Sequence, residues 1–173
     1  MKKIIFSIVL IIVVIIGCKT VSKNTKQLRL NFEAKSNSNV SGTATFIENK
    51  GKVTFEAKLS GLQPGVHAIH IHEKSDCSAA DGSSAGGHWN PTFKKHGKWA
   101  EGEYHKGDIG NFTADENGNG TITLTTDEWC IGCDDPTKDV TGKSLIVHKD
   151  KDDFVSQPTG NSGARIACSA IIK

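Results

Sequence analysis

The sequence has few aromatic residues and few long amphipathic stretches. Phe, Trp and Tyr make up 6% of its 173 residues, whereas glycine occurs 18 times. Short apolar runs lie between clusters of Gly, Asn and Asp, as in proteins built from strands and turns. The length is typical of one domain with a substantial core. The composition therefore favours a single all-β domain.

The chain also lacks an apolar run long enough for a comfortable membrane-spanning helix. The apolar residues that follow Met1-Lys2-Lys3 extend only from Ile4 to Gly17, whereas a spanning helix needs about 20 residues. A basic start followed by a short apolar stretch is typical of an export signal. We therefore predict a signal peptide at residues 1–17, with an uncleaved anchor as the alternative.

The end of this signal, Ile15-Ile16-Gly17-Cys18, resembles the lipobox of bacterial lipoproteins, although Ile15 stands where Leu is usual. The resemblance implies a lipid on Cys18 that attaches the protein to a membrane of the bacterial cell envelope, facing the periplasm or the exterior. An ordinary signal without a lipid is the alternative. The polar residues that follow predict a flexible tether, so that residues 18–27 precede the folded domain.

An excess of charge is absent from the exported part of the chain. The full sequence has 21 Lys and Arg against 19 Asp and Glu. Removal of the signal takes away Lys2 and Lys3, so the formal net charge falls to zero. Nucleic-acid-binding proteins usually present a basic face. We therefore expect no nucleic-acid partner.

Strand patterns begin at Leu28, where Leu28, Leu30 and Phe32 alternate with polar residues. The candidate strands are 28–32, 40–48, 52–60, 66–72, 109–114, 120–125, 143–148 and 165–172. Two of them are joined by Glu48-Asn49-Lys50-Gly51, a turn sequence typical of a hairpin. Residues 73–108 show little periodicity, and a loop of that length inside a compact domain is usually functional or disordered. Its histidines favour a function.

The histidines fall into two groups that suit metal ions. His70 and His72 alternate along a strand, so their imidazoles share a face and can converge on one metal. In the long loop, three imidazoles and a carboxylate form a suitable tetrahedral set for zinc: His88, His96, His105 and Asp108. Other metals that prefer imidazole fit equally well, so spacing alone does not select zinc. Solvated histidines in a polar loop are the alternative.

Five segments resemble motifs of the copper,zinc superoxide dismutases. They are Gly65–Glu73, Gly86–Pro91, His105–Asn111, Val147–His148 and Thr159–Arg165. The match extends over residues 28–173, which we assign to one domain of this family. The resemblance implies an eight-stranded Greek-key β-barrel, related in architecture to immunoglobulin-like sandwiches, with two long loops over the metals.

The resemblance also implies the roles of individual residues. The implied copper ligands are His70, His72, His88 and His148. The implied zinc ligands are His88, His96, His105 and Asp108. In this scheme His88 bridges the metals and supplies a proton, while Arg165 attracts the substrate. Asp152 accepts hydrogen bonds from His70 and His96, and His67 has a structural role rather than a ligand role.

The implied activity is the disproportionation of superoxide to oxygen and hydrogen peroxide, by redox cycling of a copper ion bridged through a histidine to zinc. A non-catalytic copper-binding or copper-delivery protein on the same scaffold is the alternative, and the complete ligand set with Arg165 disfavours it. The retained zinc ligands disfavour a copper-only enzyme. The family is usually dimeric, so we expect a homodimer. The charged loop of eukaryotic members is largely absent between Asp153 and Thr159, which leaves Arg165 and lysines among Lys94, Lys95 and Lys106 to steer superoxide.

Four cysteines remain once Cys18 is assigned to the lipid. Cys77 and Cys168 match the intrasubunit disulfide of the family. Cys130 and Cys133 lie in an insertion, Trp129 to Val140, that is outside the family pattern. A local disulfide is the simpler interpretation in an exported protein, and a redox or metal role is the alternative.

Overall fold

Almost all regular structure in residues 25–173 is β. The computed structural model describes residues 25–173, so the predicted signal peptide, Cys18 and residues 19–24 of the predicted tether lie outside it. The strands are β1 Lys26–Ala34, β2 Ser41–Asn49, β3 Lys52–Ser60, β4 Gly65–His72, β5 Gly110–Ala114, β6 Gly120–Thr126, β7 Lys143–His148 and β8 Arg165–Ile171. A single 3₁₀ turn, Ser83–Ala85, lies between β4 and β5 in this range. No helix in residues 25–173 has the length and apolarity to cross a membrane.

The eight strands form a closed antiparallel barrel in the order β1-β2-β3-β6-β5-β4-β7-β8. Strands β1 and β8 close it, with Glu33 opposite Cys168 and Ala34 opposite Ala167. Closure pairs the first strand of the sheet with the last, and the weakest contact within it is between β5 and β6, which pair only at Ala114 and Gly120. The predicted all-β, eight-stranded barrel is therefore confirmed.

The first strand begins at Lys26, two residues before the start predicted for the domain. Lys26 and Gln27 pair with Glu48 and Ile47 of β2. The Lys26 ammonium also lies 3.4 Å from the Glu48 carboxylate and donates to the Ile131 carbonyl at 2.8 Å. Backbone pairing and these polar contacts extend the strand beyond the apolar alternation that begins at Leu28.

The predicted hairpin joins β2 and β3 through a two-residue turn at Lys50 and Gly51, with Asn49 opposite Lys52. Both turn residues have positive φ, 50° and 74°. Two positive φ values are what a type I′ turn requires, and its twist matches that of antiparallel strands. Glycine at position 51 adopts this backbone without steric cost.

The core centres on Phe46 and Phe55, whose ring centroids are 5.0 Å apart. Trp129, from the segment that follows β6, packs on both rings and is 1% exposed. Strand β4 and its neighbour β7 are buried on both faces, over residues 67–72 and 144–148. Ile69 and Ile71 of β4 face the core, while His70 and His72 lie on the opposite face, near the end of the strand with which the long loop pairs.

Candidate metal centre

Strands β4 and β7 and the long loop bring four histidines together. His70 and His72 lie on one face of β4, and β7, the neighbouring strand, ends at His148. His88 joins them because it forms an isolated bridge with His72. One ring nitrogen of each histidine lies within 4.8 Å of the corresponding nitrogens of the others, and all four residues are buried. The structure thus assembles the four residues predicted to hold copper.

The ring nitrogens of this first cluster divide into two sets. One nitrogen of each ring is buried without a hydrogen-bond partner in the described residues; these are His70 Nδ1, His72 Nε2, His88 Nε2 and His148 Nε2. The other nitrogens contact oxygen: His70 Nε2 lies 2.9 Å from Asp152 Oδ2, and His72 Nδ1 lies 2.9 Å from the Gly86 carbonyl. Buried polar atoms are rarely left unpaired. A set of converging, unpaired imidazole nitrogens fits a copper ion.

The second cluster lies entirely in the loop between β4 and β5. Its ligand atoms also fall within 4.8 Å of one another, and its members are His88, His96, His105 and Asp108. His96 Nδ1 and His105 Nδ1 lie 3.0 and 3.3 Å from Asp108 oxygens but form no hydrogen bond with them. Nitrogen and carboxylate atoms that face one another in this way fit a shared cation. Three imidazoles and one carboxylate are a common zinc set.

His88 connects the two clusters, because its Nε2 belongs to the first and its Nδ1 lies 2.8 Å from Asp108 Oδ1 in the second. Backbone groups orient Asp108 in turn: the amides of His105 and Gly97 donate to its Oδ2 at 2.8 and 3.1 Å. The bridging position predicted for His88 therefore has the geometry that such a role requires.

Asp152 stands behind both clusters. Its Oδ2 lies 2.9 Å from His70 Nε2 and its Oδ1 lies 2.9 Å from His96 Nε2, so one buried carboxylate orients a ring of each cluster. Gly160 makes room for it, because a Cβ at that position would collide with Asp152 Oδ1 and with His96 Nε2. These are the contacts that the sequence analysis expected for Asp152.

In the metal-free protein the pKa values of His88 and His96, two of the three rings next to Asp108, shift in opposite directions. Burial, followed by the charge of His70, outweighs the Asp108 contact and lowers the pKa of His88 to about 3. Burial also acts against the charged form of His96, but the Asp108 and Asp152 carboxylates, one next to each ring nitrogen, outweigh it and raise the pKa of His96 to about 9. Burial opposes ionisation of both carboxyls, yet their histidine partners hold the pKa values of Asp108 and Asp152 below the usual range.

The raised pKa of His96 predicts that zinc binding releases a proton. At neutral pH His96 is protonated in the metal-free protein, and its Nδ1 must lose that proton before it can bind a metal. Zinc affinity should therefore rise by about tenfold per pH unit up to pH 9, as for one released proton. Chelator competition from pH 7 to pH 9 measures this slope. An affinity that stays constant over that range would contradict the protonated state of His96.

His67 and Arg165 border the first cluster without joining it. His67 Nδ1 lies 3.0 Å from the His148 carbonyl and its Nε2 lies 2.8 Å from the Gln63 carbonyl, so both ring nitrogens contact backbone, as expected for a structural residue. Arg165 faces His148 across β7 and β8, and its Nη1 donates to the Gly82 carbonyl at 2.8 Å. Burial is the main cause that lowers the pKa of His72 and of His148, and the charge of Arg165 contributes to both shifts.

The three candidate steering lysines differ in their surroundings. Lys106 pairs with the Glu128 carboxylate, which offsets its charge. The Lys94 ammonium lies over the Tyr104 ring, 5.6 Å from its centroid. Lys95 is exposed and pairs with no carboxylate within residues 25–173. Of the three ammonium groups, those of Lys94 and Lys95 are therefore not offset by a carboxylate in the described residues, and they are the better candidates to attract an anion.

Two disulfides link the four cysteines of the described region. Cys77 and Cys168 are bonded across 91 residues, which ties the long loop to β8. Cys130 and Cys133 are bonded within the insertion. The local disulfide was the simpler of the two interpretations from sequence, and the structure agrees with it.

The segment that follows β6 supports the second cluster in a way that the sequence did not suggest. Glu128 accepts a hydrogen bond from the Tyr104 hydroxyl at 2.6 Å and pairs with Lys106. Burial and the Glu128 carboxylate raise the pKa of Tyr104 to about 12, so its hydroxyl stays protonated and donates. The indole of Trp129 donates to the Lys106 carbonyl at 2.9 Å. These contacts fix the backbone next to His105.

A closed antiparallel barrel that carries two buried clusters joined by one histidine defines a class of binuclear metal protein. Comparison with known proteins identifies the family: residues 40–171 match the family described as copper/zinc superoxide dismutase (SODC), and the chain belongs to it. This family binds copper and zinc, and the two clusters could hold those ions.

A solved structure described as that of the clock protein EA4 is similar to this chain. It is 31% identical in sequence, with a TM-score of 0.73. The match covers 84% of this chain and 94% of EA4. The similarity extends over almost the whole of that protein, so it concerns the entire barrel domain.

Proposed function

We propose that this protein disproportionates superoxide: two superoxide anions and two protons give one oxygen and one hydrogen peroxide. The observation that carries the proposal is a set of six buried histidine nitrogens that have no hydrogen-bond partner within residues 25–173 and are divided between two clusters that share His88. The similar solved structure is described as that of a clock protein, so family membership alone does not decide between catalysis and binding without catalysis. The complete ligand set with Arg165 beside His148 favours catalysis.

The two clusters would hold different metals. His70, His72, His88 and His148 would hold copper, and His88, His96, His105 and Asp108 would hold zinc. Copper supplies one-electron redox chemistry when bound, whereas zinc has a filled d-shell and does none. Asp152 keeps the rings of His70 and His96 in their ligand orientations through its two 2.9 Å contacts.

Proton delivery falls to His88. Its Nε2 is buried, faces the first cluster and has no hydrogen-bond partner in residues 25–173. This atom would hold a proton next to a reduced substrate and give it up, and water would supply the second proton. Asp108 Oδ1, 2.8 Å from His88 Nδ1, keeps the ring aligned.

Arg165 would attract and hold the substrate anion. Its guanidinium is fixed by the Gly82 carbonyl and lies on the strand position opposite His148. The guanidinium stays charged at neutral pH and presents several donors in one plane, which suits a small anion. The Cys77–Cys168 disulfide fastens the loop that contains Gly82.

Replacement of Arg165 by Ala should lower the rate of superoxide consumption about tenfold at low ionic strength and weaken its dependence on salt, while both metals stay bound. Charge steering raises association rates by about 10 to 10³-fold in proteins generally, and it is already known for superoxide dismutases. Rates measured against ionic strength, together with metal content, test this expectation. Arg29→Ala, at an exposed position on β1, is the matched control. Equal rates for R165A and R29A would contradict the assigned role.

We also propose that the protein is exported and anchored in the bacterial cell envelope by a lipid on Cys18. The support is the sequence of residues 1–18, together with the start of β1 at Lys26, which leaves a short polar segment between Cys18 and the barrel. Mass spectrometry of the protein from bacterial membranes should find Cys18 as the first residue, with acyl chains attached. An N-terminal peptide that still carries residues 1–17, or an unmodified Cys18, would contradict the lipid. The homodimer stays a prediction, which sedimentation velocity tests.

A further inference from the structure

The main chain of His96 has an unusual source of hydrogen bonds. His96 is 3% exposed, so its backbone amide and carbonyl are largely removed from water. It lies in no strand or helix that would pair these groups. Buried backbone groups that stay unpaired are costly, so both groups need a partner.

One side chain supplies both partners. The amide of His96 donates to Gln157 Oε1 at 2.9 Å, and Gln157 Nε2 donates to the His96 carbonyl at 2.9 Å. Within residues 25–173 the main chain of His96 has no other hydrogen bond. The carboxamide of Gln157 therefore forms one hydrogen bond with the amide and one with the carbonyl of His96, as the backbone of a neighbouring strand would.

The loop that carries Gln157 also carries Asp152. Asp152 holds the His96 ring at Nε2, and Gln157 holds its backbone. Between them, Asp153 accepts hydrogen bonds from the amides of Val155 and Ser156 and from the Ser156 hydroxyl, all within the loop and none to His96. His96 is thus fixed at its ring and at its main chain by one short loop.

We propose that Gln157 is a positioning residue for the second cluster. By holding the main chain of His96, Gln157 sets the position of His96 Nδ1 relative to the other ligands and so strengthens zinc binding. The inference rests on the proposed zinc site. It gives the short loop 153–159 a role in holding zinc rather than in steering the substrate. Gln157 itself is largely exposed, so its contribution comes from the two hydrogen bonds and not from burial in the core.

The test is zinc binding by Gln157→Met, which preserves the length of the side chain and removes both hydrogen bonds to His96, together with a longer one from Gln157 Nε2 to the Val155 carbonyl at 3.3 Å. Zinc affinity and the zinc dissociation rate are measured by chelator competition, and copper affinity is measured in the same way. Partners behind metal ligands typically contribute 10- to 100-fold to affinity. We expect Q157M to bind zinc about tenfold more weakly, with copper affinity and the melting temperature of the metal-free protein close to those of the wild type.

Ser156→Ala is the matched control, because Ser156 also makes two side-chain hydrogen bonds in this loop, to Asp153 and from Asn161, but does not contact His96. S156A should keep wild-type zinc affinity. Wild-type affinity in Q157M, or equal losses in Q157M and S156A, would overturn the positioning role. Failure of the wild-type protein to bind zinc would instead refute the proposed zinc site. Gln157→Ala, measured alongside, shows whether the methionine side chain itself disturbs the loop: a loss as large as that of Q157M supports the proposal, and wild-type affinity overturns it.

Discussion

Replacing Asp152 with Asn should weaken zinc binding by up to about 100-fold, because partners behind metal ligands contribute about 10- to 100-fold to affinity. Both carboxylate oxygens are used, one by His70 Nε2 and one by His96 Nε2, each at 2.9 Å. The carboxamide of Asn keeps one acceptor but places an NH₂ group against the other ring N–H. One of the two rings must therefore turn away from its cluster. Chelator competition measures the loss.

The neighbouring Asp153→Asn variant is the control for this prediction. Asp153 also accepts several hydrogen bonds, but all of them come from its own loop and none comes from a histidine. D153N should therefore keep zinc affinity near that of the wild type. If D152N also kept wild-type affinity, Asp152 would not orient the ligands.

Removal of the long-range disulfide should produce the largest loss of stability. Closing a loop of about 90 residues stabilises the folded state by about 4–5 kcal/mol in the chain-entropy model, an upper figure. Cys168 is fully buried in β8, and its partner Cys77 lies in the loop that contains Gly82. The free energy of unfolding of the double variant Cys77→Ser/Cys168→Ser should be lower than that of the wild type by most of this amount. It should also consume superoxide more slowly, because the contact between Gly82 and Arg165 loosens.

The second disulfide provides the comparison. Cys130 and Cys133 are three residues apart, and closing so short a loop contributes only about 2 kcal/mol in the same model. Backbone hydrogen bonds from Cys130 to Lys138 and from Val140 to Cys130 also hold the insertion. Denaturant unfolding of the metal-free double variants should rank the 77/168 pair as the more destabilised. The opposite order would contradict the chain-entropy explanation.

Much of the fold and of the site could be predicted because the signals are local. Alternation of apolar residues in β1 to β3 reveals strands that bury one face. His70 and His72 are two residues apart on one strand, so their shared face follows from the period of a strand. His88 and His105 lie in motifs that resemble those of the family, and the structure brings them together with His96.

The parts that could not be predicted depend on contacts between distant residues with no recognisable pattern. Gln157 and His96 are 61 residues apart, and a glutamine in a loop carries no signal of its partner. The Trp129 indole reaches the Lys106 carbonyl across 23 residues for the same reason. The start of β1 at Lys26 depends on pairing with β2, which apolar alternation does not reveal.

Catalysis at the two clusters is tested most directly by the rate at which the protein loaded with copper and zinc consumes superoxide, measured together with its metal content. The two clusters predict one copper and one zinc per chain. The protein that holds both metals should remove superoxide far faster than superoxide disproportionates in the buffer without protein. His148→Ala, which removes a ligand from the first cluster alone, should lose this activity and keep zinc. Binding of both metals without superoxide consumption would contradict catalysis and leave a copper-binding protein on the same scaffold.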